Sequence, residues 1–182
     1  MDAALLTAAA ITPAVAERLA RLLVRVYPAE KTVGEMTAHL LTYLGTLADF
    51  RAAVIENDDE VLAVAAGVTR LIRHGATGDT EKIIALFAVA THPQFRGRGY
   101  GAAVVKAQFV RAGHDAPSAL WQTAVPVFYE KIGAVRVRNR FVNSRNLSAP
   151  DANPFWEPAV MVYPPAAWRD HDEVIDLLGV GY

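Results

Sequence analysis

The sequence predicts an α/β (α+β) sandwich in which helices cover one mixed β-sheet. Three observations favour this class. Apolar residues recur at helical spacing before Phe50, strand-like apolar runs begin at that residue, and the two patterns alternate after Thr91. Helices combined with antiparallel hairpins around a single sheet are typical of this architecture.

Two helices open the chain. Thr12 is a suitable N-cap, Pro13 stands at the first helical position, and the apolar periodicity runs on until Pro28. A second helix follows, because Thr32 and Glu35 have the spacing of a capping box.

Three strands come next. Residues 50–56 and 60–71 are rich in Val, Ile, Leu and Ala, and they flank the turn-forming Asn57-Asp58-Asp59, which predicts an antiparallel hairpin. Residues 81–91 form an almost wholly apolar run, as expected for a strand that is covered on both faces.

The second half alternates between the two patterns. The predicted elements are a helix at 101–112, a strand at 118–122, a helix at 125–132, a strand at 134–143, an irregular segment at 144–157 and a strand at 158–163. The tail at 165–178 is predicted to be a helical extension, with Asp170 and Glu173 as its capping box.

Length and composition restrict the function classes. A chain of 182 residues suits one domain over 1–182. It has no cysteine, which excludes disulfides, thiolate zinc sites and a cysteine nucleophile. Its apolar runs are shorter than the roughly 20 residues that span a bilayer, and its start lacks the basic region of a signal peptide. We therefore expect a cytoplasmic protein without a membrane partner.

Positive charge is concentrated in residues 91–145. That segment has nine basic and two acidic side chains, a balance of +7, although the whole chain carries −1. A local positive region in a nearly neutral protein suits a small polyanion better than a nucleic acid. The alternative for Arg136, Arg138 and Arg140 is a solvated strand face.

The most informative segment is the glycine turn, Gln94–Ala102, between the buried strand and the 101–112 helix. Helix-start amides and the helix dipole attract anions, and glycines let a phosphate approach the backbone. The alternative is an ordinary strand–helix turn that needs glycine. The P-loop motif is absent. Gly97–Ala102 satisfies the dinucleotide pattern Gly-x-Gly-x-x-Gly/Ala, but the next strand, 118–122, lacks the acid that holds the ribose.

Two motifs resemble those of the GCN5-related N-acetyltransferase (GNAT) family. Arg96, Gly99 and Gly101 match its acyl-CoA motif, Arg/Gln-x-x-Gly-x-Gly/Ala, and Phe128–Gly133 is similar to its Phe-Tyr-x-Lys-Leu-Gly. The motif region covers about 82–138. The resemblance implies the GNAT fold, with a splayed central pair of parallel strands that here end near Thr91 and Gln122.

The resemblance also implies the ligand and its contacts. The donor substrate is acetyl-CoA, and no metal is needed. The pantetheine arm enters between the splayed strands, the pyrophosphate rests on the glycine turn, and Gln122 stands where many members have an asparagine. The implied cofactor-binding residues are Val89, Thr91, Arg96, Gly97, Arg98, Gly99, Tyr100, Gly101, Ala102, Gln122 and Phe128.

For catalysis, Tyr129 matches the family tyrosine that protonates the departing thiolate of coenzyme A. Its alternative role is to fill space between helix and sheet. Ala85 occupies the position at which some members have a glutamate base, so that direct base is missing. The remaining candidate bases are Glu81, Glu157, His74 and His92.

The amine acceptor is implied to contact the loop before the last strand, Asn153–Glu157. Phe155 and Trp156 are the candidate substrate-binding residues, and the alternative is that they pin the loop to the core. The sequence thus predicts an N-acetyltransferase that transfers an acetyl group directly to a primary amine, as a monomer or homodimer. The second hypothesis is a non-catalytic acyl-CoA-binding module.

Overall fold

The computed structural model describes residues 3–27, 31–47, 49–168 and 173–182. The helices are α1 (Pro13–Val26), α2 (Val33–Leu44), α3 (Tyr100–Phe109) and α4 (Pro126–Glu130). The strands are β1 (Ala4–Thr7), β2 (Arg51–Glu56), β3 (Val61–His74), β4 (Thr80–Thr91), β5 (Ser118–Thr123), β6 (Val135–Val137), β7 (Arg140–Val142), β8 (Ala159–Tyr163) and β9 (Val174–Asp176). They form a mixed sheet, so the predicted fold class is confirmed.

The described chain divides into two compact units, and β3 and β4 contribute residues to both. The first unit contains Met1–Val68 and Leu86–Gln108, and the second contains Thr69–Ala85 and Phe109–Tyr182. The prediction of a single domain over 1–182 stays a prediction.

In the first unit, the predicted caps fix the two N-terminal helices. The Thr12 hydroxyl accepts the Val15 amide at 3.3 Å, and Thr32 and Glu35 form the expected reciprocal capping box. β1 pairs antiparallel with β2, and β2 pairs antiparallel with β3. The buried Gln108 amide at the end of α3 donates to the carbonyls of Arg51 and Ala65, which ties this helix to two strands.

In the second unit, β5 lies between β4 and β8. Its pairing is parallel with β4 and antiparallel with β8, and β6 adds on the far side of β8. An aromatic core covers this part of the sheet: Phe109 stacks on Tyr163 with ring centroids 3.9 Å apart and packs against Trp121. β9 pairs with the end of β3 and with β7.

One prediction for the C-terminal half is wrong, and another is correct in kind but not in continuity. The tail is not a helix in its described part, because Pro165–Ala167 forms one 3₁₀ turn and Val174–Asp176 is a strand. Its β-branched residues pair with β3 and β7, which outweighs the helical spacing. Asp170 lies outside the described residues, as does Pro28. The strand predicted at 134–143 is two short strands with different partners.

Candidate active site

The glycine turn joins β4 to α3 in a conformation that requires glycine. A 3₁₀ turn at Pro93–Phe95 follows β4, and the next four residues are exposed. Gly97 and Gly99 have φ of 78° and 83°, a left-handed conformation that other residues adopt only with strain. A Cβ atom added at either glycine would meet no protein atom within 4 Å, so the requirement is conformational rather than a matter of space.

This turn presents backbone amides and positive charge at the start of α3. The first intrahelical bond runs from the Ala103 amide to the Gly99 carbonyl at 3.0 Å, so the amides before Ala103 have no carbonyl partner within the helix. Arg96 and Arg98 are exposed beside them, and the Arg98 guanidinium lies 5.0 Å from the centre of the Phe95 ring. The arrangement is suited to an anion such as a pyrophosphate.

The C-terminal half of β4 departs from regular strand geometry just before the glycine turn. Ala88 has φ of 49°, which is strained for a residue with a Cβ atom. The carbonyl of the next residue, Val89, accepts a hydrogen bond from the Tyr27 hydroxyl at 2.6 Å. Parallel pairing of β4 with β5 covers Ile83–Ala85, whereas β4 continues to Thr91.

The contact between Tyr27 and Val89 could not be predicted from the sequence. Tyr27 directly follows α1 and is 62 residues from Val89, and no periodic pattern links residues so far apart. His92, one of the candidate bases, also lies in a contact that joins distant segments. It is buried, contacts Arg25, has its Nε2 atom 3.6 Å from Glu60, and accepts the Gln94 amide through Nδ1.

Tyr129 lies in the core of the second unit. It is 4 % exposed, and its ring packs against Trp121 and Phe128 with centroid distances of 5.0 and 4.8 Å. The Ala134 amide donates to its carbonyl at 3.1 Å, which fixes the end of α4. The alternative role as a space-filling residue therefore describes its packing, and its role as an acid stays a prediction.

Gln122 and the 153–157 loop are joined in the second unit. The Gln122 side-chain oxygen accepts the amides of Trp156 and Glu157, both at 2.8 Å. Phe155 is 5 % exposed and packs edge-on against Phe141, whereas Trp156 is 72 % exposed. The two candidate substrate-binding aromatics thus differ. Phe155 pins the loop to the core, whereas the ring of Trp156 is exposed to solvent.

Most candidate bases already have partners. His74 lies between two carboxylates, with Nδ1 2.9 Å from Glu173 and Nε2 3.2 Å from Glu81. This cluster joins the end of β3 to the beginning of β9. Ala85, at the position of the family glutamate, is fully buried in β4. No base is assigned by these contacts.

Ion pairs reduce the free charge of the basic segment. Arg111 pairs with Asp115, Arg136 with Glu130 and Arg140 with Asp151, at 2.7, 2.7 and 2.9 Å. The solvated strand face is therefore the better interpretation for Arg136 and Arg140. Arg96 and Arg98 are the basic side chains that flank the glycine turn.

Two open grooves lie elsewhere on the first unit. One of about 630 Å³ runs between α1 and α2, and one of about 300 Å³ lies between Ala8–Ala10 and the end of α2. The predicted site residues, all of them described, line neither groove. Within the described part of the chain, no cluster of acidic and histidine side chains is able to hold a metal ion, and no helix is long and apolar enough to cross a membrane.

Residues 48–133 match the family model described as an acetyltransferase (GNAT) domain. The match contains both motifs from which the resemblance was inferred. The resemblance to the GNAT family is therefore confirmed for this segment. No curated protein matches the sequence.

Solved structures show the same fold. A GCN5-related N-acetyltransferase from Kribbella flavida is 21% identical with a TM-score of 0.57, over 74% of this chain and 33% of its own. Eis1 from Mycobacterium abscessus is 18% identical with a TM-score of 0.58, over 77% and 33%. A structure from Corynebacterium glutamicum, described as histone acetyltransferase HPA2 and related acetyltransferase, is 16% identical with a TM-score of 0.57, over 91% and 97%. The matched part is thus about a third of the length of the first two proteins.

Proposed function

We propose that this protein transfers an acetyl group directly from acetyl-CoA to a primary amine. The observation that carries the proposal is the glycine turn, in which two left-handed glycines and two exposed arginines lie at the start of α3. Backbone amides and arginines in this arrangement suit the pyrophosphate of coenzyme A. The match of residues 48–133 to the GNAT domain model supports the same donor.

The proposed donor contacts in the first unit lie on one continuous segment. Val89 and Thr91 offer backbone groups to the pantetheine, and amides from Arg96 to Ala102, including that of Tyr100, hold the pyrophosphate. In the second unit we propose Gln122 and Phe128 as further cofactor-binding residues.

In the proposed reaction, the neutral amine attacks the thioester carbonyl and forms the C–N bond. The C–S bond breaks, and the Tyr129 hydroxyl gives its proton to the thiolate. The attacking nitrogen releases one proton, and a proton taken up by the Tyr129 phenolate returns this side chain to its neutral form. The products are an amide and the free thiol of coenzyme A.

The setting that we propose is the cytoplasm, where acetyl-CoA is the small polyanion that the basic segment attracts. We propose a monomer or homodimer that binds neither nucleic acid nor membrane. The ion pairs of Arg136 and Arg140 support a small polyanion over a nucleic acid. They neutralise two arginines of the basic segment, so that its remaining positive charge covers smaller areas such as the glycine turn.

The second hypothesis is a non-catalytic acyl-CoA-binding module. The test incubates the protein with acetyl-CoA and a panel of primary amines, and measures release of free thiol together with the mass of the acetylated amine. We expect amine-dependent thiol release. Saturable acetyl-CoA binding with no product for any amine would favour the module, and absence of binding would contradict both hypotheses.

A further inference from the structure

Gln122 makes a contact that the family resemblance does not imply. The resemblance puts this position beside the pantetheine, but the side-chain oxygen instead accepts two neighbouring loop amides, those of Trp156 and Glu157. An amide oxygen has two lone pairs, so these two bonds at 2.8 Å use its full capacity. The side-chain nitrogen is buried and has no hydrogen-bond partner among the described residues.

The contact gives the 153–157 loop its conformation. Residues 144–157 contain no helix or strand, and the backbone hydrogen bonds described for this segment lie between Asn143 and Ala152, before the 153–157 loop. Asn153 accepts the Phe155 amide at 3.0 Å, and Gln122 accepts the next two. Three successive amides are therefore satisfied by side chains. The Phe155 ring points into the core, where it packs against Phe141 and Tyr182, and the Trp156 ring points to solvent.

The length of the glutamine side chain matters. An asparagine, the residue that the family often has here, would withdraw the amide group by one carbon–carbon bond, about 1.5 Å. The two 2.8 Å bonds would then open to roughly 4 Å, beyond hydrogen-bonding distance. The extra methylene is what allows the strand residue to reach the loop.

We propose that Gln122 is a positioning residue that connects β5 to the 153–157 loop and so presents the Trp156 ring to the amine-bearing acceptor. The inference has two halves. The acceptor half, that Trp156 contacts the amine, rests on the proposed function, whereas the loop half, that Gln122 holds the 153–157 loop, concerns the protein alone. An exposed indole can bind a cationic or apolar acceptor through its face. Gln122 therefore sets acceptor recognition through Trp156 and Glu157.

Hydrogen exchange and acrylamide quenching test the loop half without any substrate. In the wild type, the amides of Trp156 and Glu157 are expected to be protected. Gln122→Asn should reduce their protection about five- to tenfold, whereas Gln122→Glu keeps the acceptor oxygens and the length and should retain it. Quenching reports chiefly on Trp156, because Trp121 and Trp168 are buried. Leu147→Ala, at an exposed residue of the same segment, is the control.

The acceptor half is tested with an amine that the wild type acetylates. At saturating acetyl-CoA, Gln122→Asn should raise the KM for the amine about five- to tenfold. Gln122→Glu should leave the KM for the amine at the wild-type value. Trp156→Ala should raise this KM without changing the hydrogen-exchange protection of the other loop amides.

The outcomes separate the two proposals. Rapid exchange of both amides in the wild type, or unchanged protection in Gln122→Asn, overturns the loop half. Lost protection with an unchanged amine KM overturns the acceptor half. A wild type that acetylates no amine overturns the proposed function and the acceptor half with it, while the exchange result still decides the loop half.

Discussion

The glycine turn and the surroundings of Tyr129 are built in opposite ways. Residues 96–99 of the turn are exposed, two of them are glycines in a left-handed conformation, and the groups that we propose for binding there are backbone amides outside the core. Tyr129 is buried among Trp121 and Phe128, so a side chain that we propose for the site also belongs to the core. Substitutions in the turn should therefore change binding more than stability, and substitutions around Tyr129 should change both.

The largest expected effect on stability is that of Trp121→Ala. Trp121 is 1 % exposed and packs against Phe109 and Tyr129, so its truncation leaves a cavity and should cost about 3–5 kcal/mol. Urea unfolding measures the loss. For Gly97→Ala we expect a loss of about 1–2 kcal/mol, because its φ is left-handed. A smaller loss for Trp121→Ala than for Gly97→Ala would contradict the contrast between the buried core and the exposed turn.

The next effect is on the chemical step. Tyr129→Phe keeps the ring and its packing and deletes only the hydroxyl, so kcat should fall about 100-fold while acetyl-CoA binds almost normally. Tyr163→Phe makes the same change in a ring that stacks on Phe109 and is the matched control. Equal kcat values for the two variants, with chemistry shown to limit the rate, would remove Tyr129 from the mechanism.

A smaller effect depends on pH and belongs to the second unit. Burial alone would raise the pKa of Asp176, but the hydrogen bonds that it accepts from Ser144 and Leu178, together with Arg73, hold that pKa below its usual value. Because the folded pKa is lower than the unfolded one, the stabilisation is present above about pH 4 and is lost as pH falls through the folded pKa. Asp176→Asn should lower the free energy of unfolding at pH 7 by about 1 kcal/mol, and the difference should close as the pH falls through the folded pKa of Asp176. A constant difference across this range in urea titrations would contradict the assignment.

The smallest effect concerns the charges beside the glycine turn. Arg96→Ala and Arg98→Ala should each weaken acetyl-CoA binding about three- to tenfold, with a smaller effect at high salt because both side chains are exposed. Arg136→Ala removes the same charge from a residue that already pairs with Glu130 and should leave the Kd unchanged. Equal effects of the three substitutions would mean that general charge, not the turn, attracts the ligand.

Local patterns predicted most of the fold. The caps at Thr12 and Thr32 and the hairpin around Asn57–Asp59 are signals within a few residues, and all three are present in the structure. Strand β9 was missed because its pairing partners, β3 and β7, supply the stabilisation and its own three residues carry little signal.

The candidate site likewise has a part that could be predicted from local sequence and a part that could not. The glycine turn is a contiguous motif, so its residues could be named from the sequence. The contacts of Gln122 with the 153–157 loop and of Tyr27 with Val89 join residues more than 30 positions apart. They depend on tertiary packing, and no spacing in the sequence encodes them.

The central claim is that the glycine turn binds acetyl-CoA, and calorimetric titration of a matched pair of variants tests it most directly. Gly97 and Gly78 have φ of 78° and 76°, and a Cβ atom at either would meet open space, so Gly97→Ala and Gly78→Ala impose the same backbone strain. We predict that the wild type and Gly78→Ala bind acetyl-CoA equally, with about 2.7 kcal/mol of stabilisation at a hundredfold excess over Kd, and that Gly97→Ala binds at least about tenfold more weakly. No binding by the wild type, or equal binding by the two variants, would contradict the claim.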